Sequence, residues 1–422
     1  MRQTERVFWM IVDQGVFATS NFIMNVLFAR WLSAPEYGLF AVSFSTYLLL
    51  TVVHWGAFLE PLLVLSAQID HNKRRSYVVT LGWTHAGMVL AAGVIALTIF
   101  GIAWMLDAPN VGWVALGAGV GGSLMLTLLT ARRLCLVFMS PRVSAIVGLT
   151  YFFGVLASGA GLTSYRLSWF TLWEIMGFWS LVCSLTIFGL LMLRTTGVAP
   201  FPIRKLFGFQ RRYAPGAIVA ALCQWCSFDG VYLLVSHMLG LPAVAETRAI
   251  CNVANPLVQV SAAMHASWLV LFSEQRRSKI VKIGPLILLY VVATVLCVAG
   301  SYFAADLLVR VLYGGRYLDA AWQLPIYVSS VGLYGVSAMV TSLFKARGGL
   351  WQGFAPVIIG ALVAIGMAIV LIREIGQPGA VFAMCISGIA VFSVTGLIFR
   401  LANPKPVGTD VSSERQPVVS TT

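Results

Sequence analysis

Long apolar runs alternate with short polar connections along almost the whole chain. Twelve of these runs are long enough to cross a hydrocarbon layer, which takes about 20 apolar residues in a helix. They lack the strict apolar/polar alternation of a membrane β-strand, so we interpret them as α-helices. The predicted spans are 7–32, 38–66, 77–105, 112–131, 143–163, 168–193, 213–239, 243–272, 284–309, 322–344, 353–373 and 379–400. The pattern therefore indicates an all-α polytopic membrane protein with about twelve transmembrane helices.

The longest polar connection divides these spans into two groups of six. It contains two prolines and five basic residues. A weak repeat supports the division, because the turn at 32–35 (Leu-Ser-Ala-Pro) resembles the turn at 239–242 (Leu-Gly-Leu-Pro). We expect two six-helix lobes around a central cavity, as in many transporters built from repeats. The predicted parts are a lobe at 1–193, a cytoplasmic linker at 194–212, a lobe at 213–401 and a polar, disordered tail at 402–422.

Composition agrees with a chain immersed in lipid. Hydrophobic residues make up 59% and charged residues 10% of the 422 residues, whereas a soluble domain carries about 25% charged residues. A soluble enzyme is therefore excluded. The net charge of +13 could suggest a nucleic-acid partner, but the basic residues stand in small groups between apolar runs. We therefore predict no nucleic-acid binding.

The basic residues also predict the orientation. With the N-terminus inside, 22 of the 28 Lys and Arg residues fall on the inner side, in alternate connections. The six others are Arg30, Arg166, Arg248, Arg310, Arg316 and Arg373. Because cytoplasmic connections carry the excess of Lys and Arg, both termini are predicted to be cytoplasmic.

The sequence offers no motif for a cofactor, a metal or a catalytic centre. The outward connections are too short for a catalytic domain, and phosphate-binding loops, HExxH helices and paired-cysteine metal sites are missing. Cys223 and Cys226 form a CxxC pair, but inside a predicted span we interpret them as small buried apolar residues. The chain is predicted to be a non-enzyme without cofactor or metal.

Four polar residues share one face of the eighth span: Arg248, Asn252, Asn255 and Gln259 stand at i, i+4, i+7 and i+11. Such a stripe cannot face lipid, so it is predicted to look into protein or a water-filled cavity. Because a guanidinium binds phosphate with two hydrogen bonds, Arg248 is the first candidate for a ligand contact. The alternative is a structural ion pair between Arg248 and Asp229 of the seventh span.

A second polar stripe runs along the first span. Asn21 and Asn25 are spaced for one helical face and are predicted to line the same cavity. Arg30 lies at the outer end of this span. It is interpreted either as an interfacial anchor or as a further cavity residue.

Three carboxylates are candidates for ion coupling. Asp13 and Glu60 lie at similar depths, about 9 Å from the inner ends of the first two spans, and are predicted to share a polar pocket. Two nearby carboxylates raise each other's pKa, which would suit one of them to carry protons. The alternative is that they hydrogen-bond to helix ends. Asp229 is the third candidate.

Several short motifs resemble the Wzx-type polysaccharide exporters of the multidrug/oligosaccharidyl-lipid/polysaccharide (MOP) superfamily. In the first two spans these are Asp13-Gln14, Ser20-Asn21-Phe22, Ala29-Arg30-Trp31-Leu32, Glu36-Tyr37-Gly38-Leu39-Phe40 and Glu60-Pro61-Leu62. In the second half they are Arg248-Ala249 with Asn255-Pro256, and Tyr313-Gly314-Gly315-Arg316-Tyr317 with Ala320 and Ala321. The resemblance extends over most of the chain.

This resemblance implies a transporter of a bacterial inner membrane that works by alternating access. Its substrate would be a polyprenyl-pyrophosphate-linked oligosaccharide, moved from the inner to the outer leaflet. Its partners would be the bilayer and the polysaccharide polymerase and glycosyltransferases of the same pathway. Since few arginines lie deep in the spans, Arg248 would carry much of the phosphate contact.

Two other functions remain as alternatives. One is a multidrug or cation exporter of the same superfamily, for which a cavity of aromatic side chains and carboxylates would be typical. The other is a membrane-embedded polysaccharide polymerase or glycosyltransferase. It is disfavoured because such an enzyme needs a large outward loop with catalytic residues.

Overall fold

The computed structural model describes residues 3–59, 71–163, 167–195, 202–261, 264, 283–346 and 350–401. In this part of the chain there are fourteen α-helices and no β-strand. The prediction of an all-α polytopic fold is therefore confirmed. The tail at 402–422 lies outside the described residues.

The first half of the chain contains seven of these helices. They are α1 (Gln3–Trp31), α2 (Ala34–His54), α3 (His71–Met105), α4 (Pro109–Leu116), α5 (Gly122–Phe138), α6 (Pro141–Leu162) and α7 (Trp169–Thr195). Helix α2 continues into a π-helical turn at Trp55–Leu59, and a second π-helical turn at Gly117–Gly121 joins α4 to α5. With α4 and α5 counted as one span, these helices match the first six predicted spans.

The second half contains the other seven helices. They are α8 (Ile203–Ser227), α9 (Asp229–Leu239), α10 (Leu241–Val253), α11 (Ile283–Tyr313), α12 (Leu324–Ala346), α13 (Leu350–Ile375) and α14 (Pro378–Leu401). A 3-10 turn at Leu318–Gln323 precedes α12. Residues 203–212, which the sequence analysis assigned to the linker, form the first turns of α8.

Ten of the described helical segments are long and apolar enough to cross a membrane. Helices α8 and α9 form an eleventh span, broken by a bend of 42° between Ser227 and Asp229. The predicted eighth span begins as α10, and helical residues follow at 255–261. Where the structure describes them, the twelve predicted spans are helical. Parts of two of them, 60–66 in the second and 262–263 and 265–272 in the eighth, lie outside the described residues.

Both turns of the predicted repeat lead into a helix with a proline in its first turn, but their N-cap residues differ in conformation and in capping. Ser33 is the N-cap of α2 and forms a capping box with Glu36, while Pro35 stands in the first turn. Gly240 is the N-cap of α10, again with a proline in the first turn, and its φ of 87° favours glycine. A proline suits the first helical turn because its missing N–H is not needed there.

The halves meet where α2 of the first half packs against α8, α9 and α10 of the second. Gly38 on α2 lies so close to the start of α10 that a Cβ atom there would stand 2.2 Å from the Leu241 carbonyl oxygen. Nearby, the Trp225 indole N–H donates to the Ser45 carbonyl at 2.9 Å. Helices α3 and α11 carry large apolar side chains on exposed faces, as expected for helices in lipid.

Candidate functional site

Arg248 lies at the boundary between the two halves. Its Nη1 donates to Asp229 Oδ1 at 3.2 Å, so the ion pair considered from the sequence is present. Asp229 is the first residue of α9, where the partial positive charge of a helix N-terminus favours a carboxylate. The pair therefore ties α10 to the bend between α8 and α9.

Aromatic rings cover the Arg248 guanidinium from both halves. Its Cζ lies 5.2 Å from the ring centroid of Phe44 on α2 and 5.3 Å from that of Tyr232 on α9. The side chain is 12% exposed. Its Nε is buried and has no hydrogen-bond partner among the described residues. Arg248 thus keeps donor capacity for an anion beside its bond to Asp229.

The other three polar residues of this stripe differ in burial and in their hydrogen bonds. Asn252 is buried, and its Nδ2 donates to the hydroxyl of Tyr313 on α11 at 3.3 Å. That hydroxyl donates to the Ala249 carbonyl at 2.9 Å, so Asn252 joins α10 to α11. Asn255 and Gln259 are half-buried, and Gln259 Nε2 lies 3.5 Å from Asn255 Oδ1.

Asn25 of the first span is buried and turned back onto its own helix. Its Nδ2 donates to the Asn21 carbonyl at 2.9 Å, and its Oδ1 is buried without a hydrogen-bond partner in the described part. Asn21 is half-buried.

Arg30 joins the ends of two helices from opposite halves. Its Nε donates to the Leu312 carbonyl at 2.6 Å and its Nη2 to the Val311 carbonyl, both in the last turn of α11. In return, Arg316 donates from Nη1 to the carbonyls of Ala29 at 2.8 Å and Leu32 at 3.0 Å, at the end of α1. Each arginine therefore caps the C-terminus of the other half's helix.

Asp13 is buried in an ion pair rather than free in a polar pocket. Its Oδ1 accepts from Arg132 Nη2 at 2.6 Å and from Ser144 Oγ at 2.8 Å. Arg132 was assigned to an inner connection as an orientation signal, but the structure places it in α5 with its side chain 7% exposed. Glu60, the predicted neighbour of Asp13, lies outside the described residues.

A small pocket adjoins this ion pair, lined by Asp13, Gln14, Phe17, Leu129, Arg132 and Arg133. The Arg132 guanidinium lies 4.9 Å from the Phe17 ring, and that of Arg133 lies 5.0 Å from the Trp55 ring. Both stacked arginines stand at the predicted inner side of α5.

Sequence reasoning missed a pair of buried histidines. His54 ends α2 and His85 lies on α3, and their ring nitrogens are 3.1 Å apart. The two histidines are 31 residues apart in the sequence, among polar residues that follow no regular spacing. No spacing rule links them. Within the described part of the chain, no cluster of three His, Cys, Asp or Glu residues could hold a metal ion.

The fold is similar to those of several solved membrane transporters. Lipid II flippase MurJ in an inward closed conformation matches with a TM-score of 0.68 at 12% identity, covering 94% of this chain and 87% of that chain. An inward-facing multidrug resistance MATE family transporter of the MOP superfamily matches with a TM-score of 0.67 at 12% identity, over 93% and 94% of the two chains. The eukaryotic MATE transporter AtDTX14 matches with a TM-score of 0.64 at 14% identity, over 95% of both chains.

These likenesses concern the fold, which the chain shares with these transporters. No protein-family model matches the sequence. No curated protein matches it either.

Proposed function

We propose that this protein is a membrane transporter that moves polyprenyl-pyrophosphate-linked oligosaccharide from the inner to the outer leaflet of a bacterial inner membrane. Arg248 is the observation that carries the proposal. It is a mostly buried cation whose Nε has no hydrogen-bond partner within the described part of the chain, and it lies between rings of both halves. A charge in such a place is costly unless it has a function or a full set of partners. A neighbour in fold is a lipid II flippase, which supports a lipid-linked substrate.

In this proposal the lobes at 1–193 and 213–401 rock about the contact between α2 and α8 to α10. The pyrophosphate binds Arg248 and partly replaces Asp229 as its hydrogen-bond partner, because a phosphate offers more acceptor oxygens than one carboxylate. The sugars lie against Asn21, Asn25, Asn255 and Gln259, and the polyprenyl tail stays in lipid. The chain carries out no covalent step.

The proposed setting follows from the same assignment. Both termini, the linker at 194–212 and the tail at 402–422 lie in the cytoplasm, in line with the distribution of Lys and Arg. The glycosyltransferases that build the lipid-linked unit would deliver it on that side. A polysaccharide polymerase would receive it on the other.

Reconstituted vesicles test the proposal directly. Wild-type protein should translocate a fluorescent polyprenyl-pyrophosphate glycan, and Arg248→Ala should lose this activity while inserting normally. Arg373→Ala is the matched control, since Arg373 is an exposed arginine in the last turn of α13. Equal rates for wild type and Arg248→Ala would show that the site is assigned wrongly.

A multidrug exporter is the second candidate, because two of the similar folds are MATE transporters. Aromatic rings are also typical of a site for flat organic cations, and Phe44 beside Arg248 belongs to a cluster with Phe40, Tyr47 and Trp173 whose ring centroids are 5.4–6.3 Å apart. The buried Arg248, however, repels cations. The same vesicles loaded with a fluorescent organic cation distinguish the two functions, since only an exporter of this second kind would move it.

A further inference from the structure

A buried hydroxyl group without a partner lies at the contact between the two halves. Tyr37, in the first turn of α2, is 0% exposed, and its Oη has no hydrogen-bond partner among the described residues. The backbone next to it is held in place, because Gly38 packs directly against the Leu241 carbonyl at the start of α10. Buried polar groups without a partner are rare, and each one points to a water, an ion or a ligand.

A row of aromatic rings on α2 leads from Tyr37 to Arg248. Tyr37, Phe40 and Phe44 stand at i, i+3 and i+7 and share one face of the helix. The ring centroids of Tyr37 and Phe40 are 6.3 Å apart, and those of Phe40 and Phe44 are 5.6 Å apart. The Arg248 guanidinium lies 5.2 Å from the Phe44 ring. Since seven helical residues span about 10 Å, Tyr37 starts that far beyond Phe44 toward the predicted outer side.

Tyr37 and Arg248 are two hydrogen-bond donors from opposite halves. The Tyr37 hydroxyl interacts electrostatically with Arg248, but no hydrogen bond joins the two side chains. Arg248 Nε is likewise buried without a partner in the described part of the chain. A hydroxyl and an N–H group are both satisfied by acceptor oxygens placed between them. The two side chains therefore suit an acceptor-rich ligand that reaches from α10 to α2.

The acidic residues on these elements leave Arg248 available to such a ligand. Glu36 is bound in the capping box of α2. Glu246 stands two residues before Arg248, about 200° around α10 and thus on its opposite face. Asp229 accepts from Arg248 through a single oxygen, and its side chain is 24% exposed. An anion that approaches past Asp229 therefore competes with one hydrogen bond only.

The two donors differ in which part of a pyrophosphate they can bind. The Arg248 guanidinium can donate two hydrogen bonds to one phosphate. Tyr37 comes from another helix and lies further along the row of rings, where a second phosphate joined to the first would extend. We propose that Tyr37 binds this second phosphate and makes the site selective for pyrophosphate over monophosphate. This role of Tyr37 rests on the proposed function, whose ligand it specifies.

Equilibrium binding to the full-length protein in phosphatidylcholine nanodiscs tests the selectivity. The ligands are farnesyl pyrophosphate and farnesyl monophosphate, which differ by one phosphate. The wild type should bind the pyrophosphate more tightly. Tyr37→Phe should weaken pyrophosphate binding about tenfold and leave monophosphate binding unchanged, because one hydrogen bond to a charged group is lost. Tyr302→Phe is the matched control, since Tyr302 is 71% exposed on α11, and should bind both lipids like the wild type.

A wild-type ratio of the two affinities in Tyr37→Phe would overturn the proposal, and it is the result expected if only water meets the hydroxyl. A wild type that binds neither lipid would overturn both the role of Tyr37 and the pyrophosphate site of the proposed function.

Thermal unfolding without ligand separates ligand binding from a structural role. Tyr37→Phe removes a hydroxyl that no described group binds, so the unfolding temperature should stay the same or rise. Tyr313→Phe removes a hydroxyl that is bonded to the Ala249 carbonyl and to Asn252, and it should lower the unfolding temperature. An equal fall for the two variants would overturn the proposal, because it would show that the Tyr37 hydroxyl is bonded within the protein.

Translocation of the glycan in vesicles is a separate measurement. A wild type that shows the Tyr37-dependent selectivity but moves no glycan would support the role of Tyr37 and contradict the transport function. A wild type that moves the glycan while Tyr37→Phe keeps the full selectivity would support the transport function and contradict the role of Tyr37.

Discussion

Two ion pairs stabilise opposite charges within the described helices. Asp13 and Arg132 join α1 to α5, and Asp229 and Arg248 join α9 to α10. Removing one partner leaves an uncompensated charge away from water, which costs more than removing both. The two pairs differ in what else surrounds the cation, since Arg248 lies between aromatic rings of both halves and Arg132 lies within one half.

Exchanging the charges of Asp229 and Arg248 separates structural pairing from substrate binding. Asp229→Arg and Arg248→Asp each place like charges together, so both single variants should unfold at lower temperature. The double variant restores the pair and should recover most of the thermal stability. It should remain inactive in translocation, because its cation starts from α9 instead of α10. Recovery of transport along with stability would show that Arg248 is only structural.

The Asp13 pair gives a prediction on stability alone. Arg132→Gln leaves Asp13 buried with Ser144 as its remaining partner, and we expect a loss of about 3–5 kcal/mol in denaturant unfolding. The double variant Asp13→Asn/Arg132→Gln should lose less. Arg142→Gln is the control, since Arg142 is exposed and its guanidinium lies 5.4 Å from the Trp9 ring. Equal unfolding curves for Arg132→Gln and Arg142→Gln would contradict the prediction.

At the scale of the helices, the spans could be predicted because lipid leaves little choice. A helix satisfies all its backbone groups internally, so apolar runs of the right length must be helices. The bend at Asp229 could not be predicted, since the proline of that span, Pro215, lies inside α8 and far from the bend. The acidic residue at the start of α9 fits a helix N-terminus but does not by itself specify a bend.

The close approach of α2 to α10 depends on a single missing side chain. A Cβ at Gly38 would stand 2.2 Å from the Leu241 carbonyl oxygen, and backbone cannot move aside as a flexible side chain can. Gly38→Ala should therefore push the two helices apart and lower the unfolding temperature by several degrees. Gly15→Ala on α1 meets nothing within 4 Å and should keep or raise it. Equal effects of the two substitutions would argue against this packing.

At the scale of the whole molecule, the sequence could indicate which residues are polar but not which of them meet. Arg132 stands 119 residues from Asp13, and Arg30 stands 282 residues from Leu312. These contacts depend on how the helices pack, which hydropathy and charge counts do not contain. For the same reason Arg132 could be mistaken for an orientation signal. The pairing of Arg248 with Asp229 could be foreseen because the two spans are consecutive.

The hydrogen bonds of Arg30 and Arg316 indicate how the two halves are held together at the predicted outer side. Each caps a helix end of the other half, so opening on this side must break both sets of hydrogen bonds. We expect Arg30→Gln/Arg316→Gln to shift the protein toward an outward-open state. Double electron–electron resonance between spin labels at Leu162→Cys and Ile375→Cys, exposed ends of α6 and α13, should show a longer distance. The labels require a background without the seven native cysteines.

The control is Arg310→Gln, which removes an exposed arginine from the same last turn of α11. If its distance distribution lengthens as much as that of the double variant, loss of positive charge explains the shift. If neither distribution changes, the two caps do not hold the outer side closed. A longer distance in the double variant alone would identify the reciprocal caps as the contact that the rocking motion must break, because both arginines bind backbone carbonyls rather than side chains.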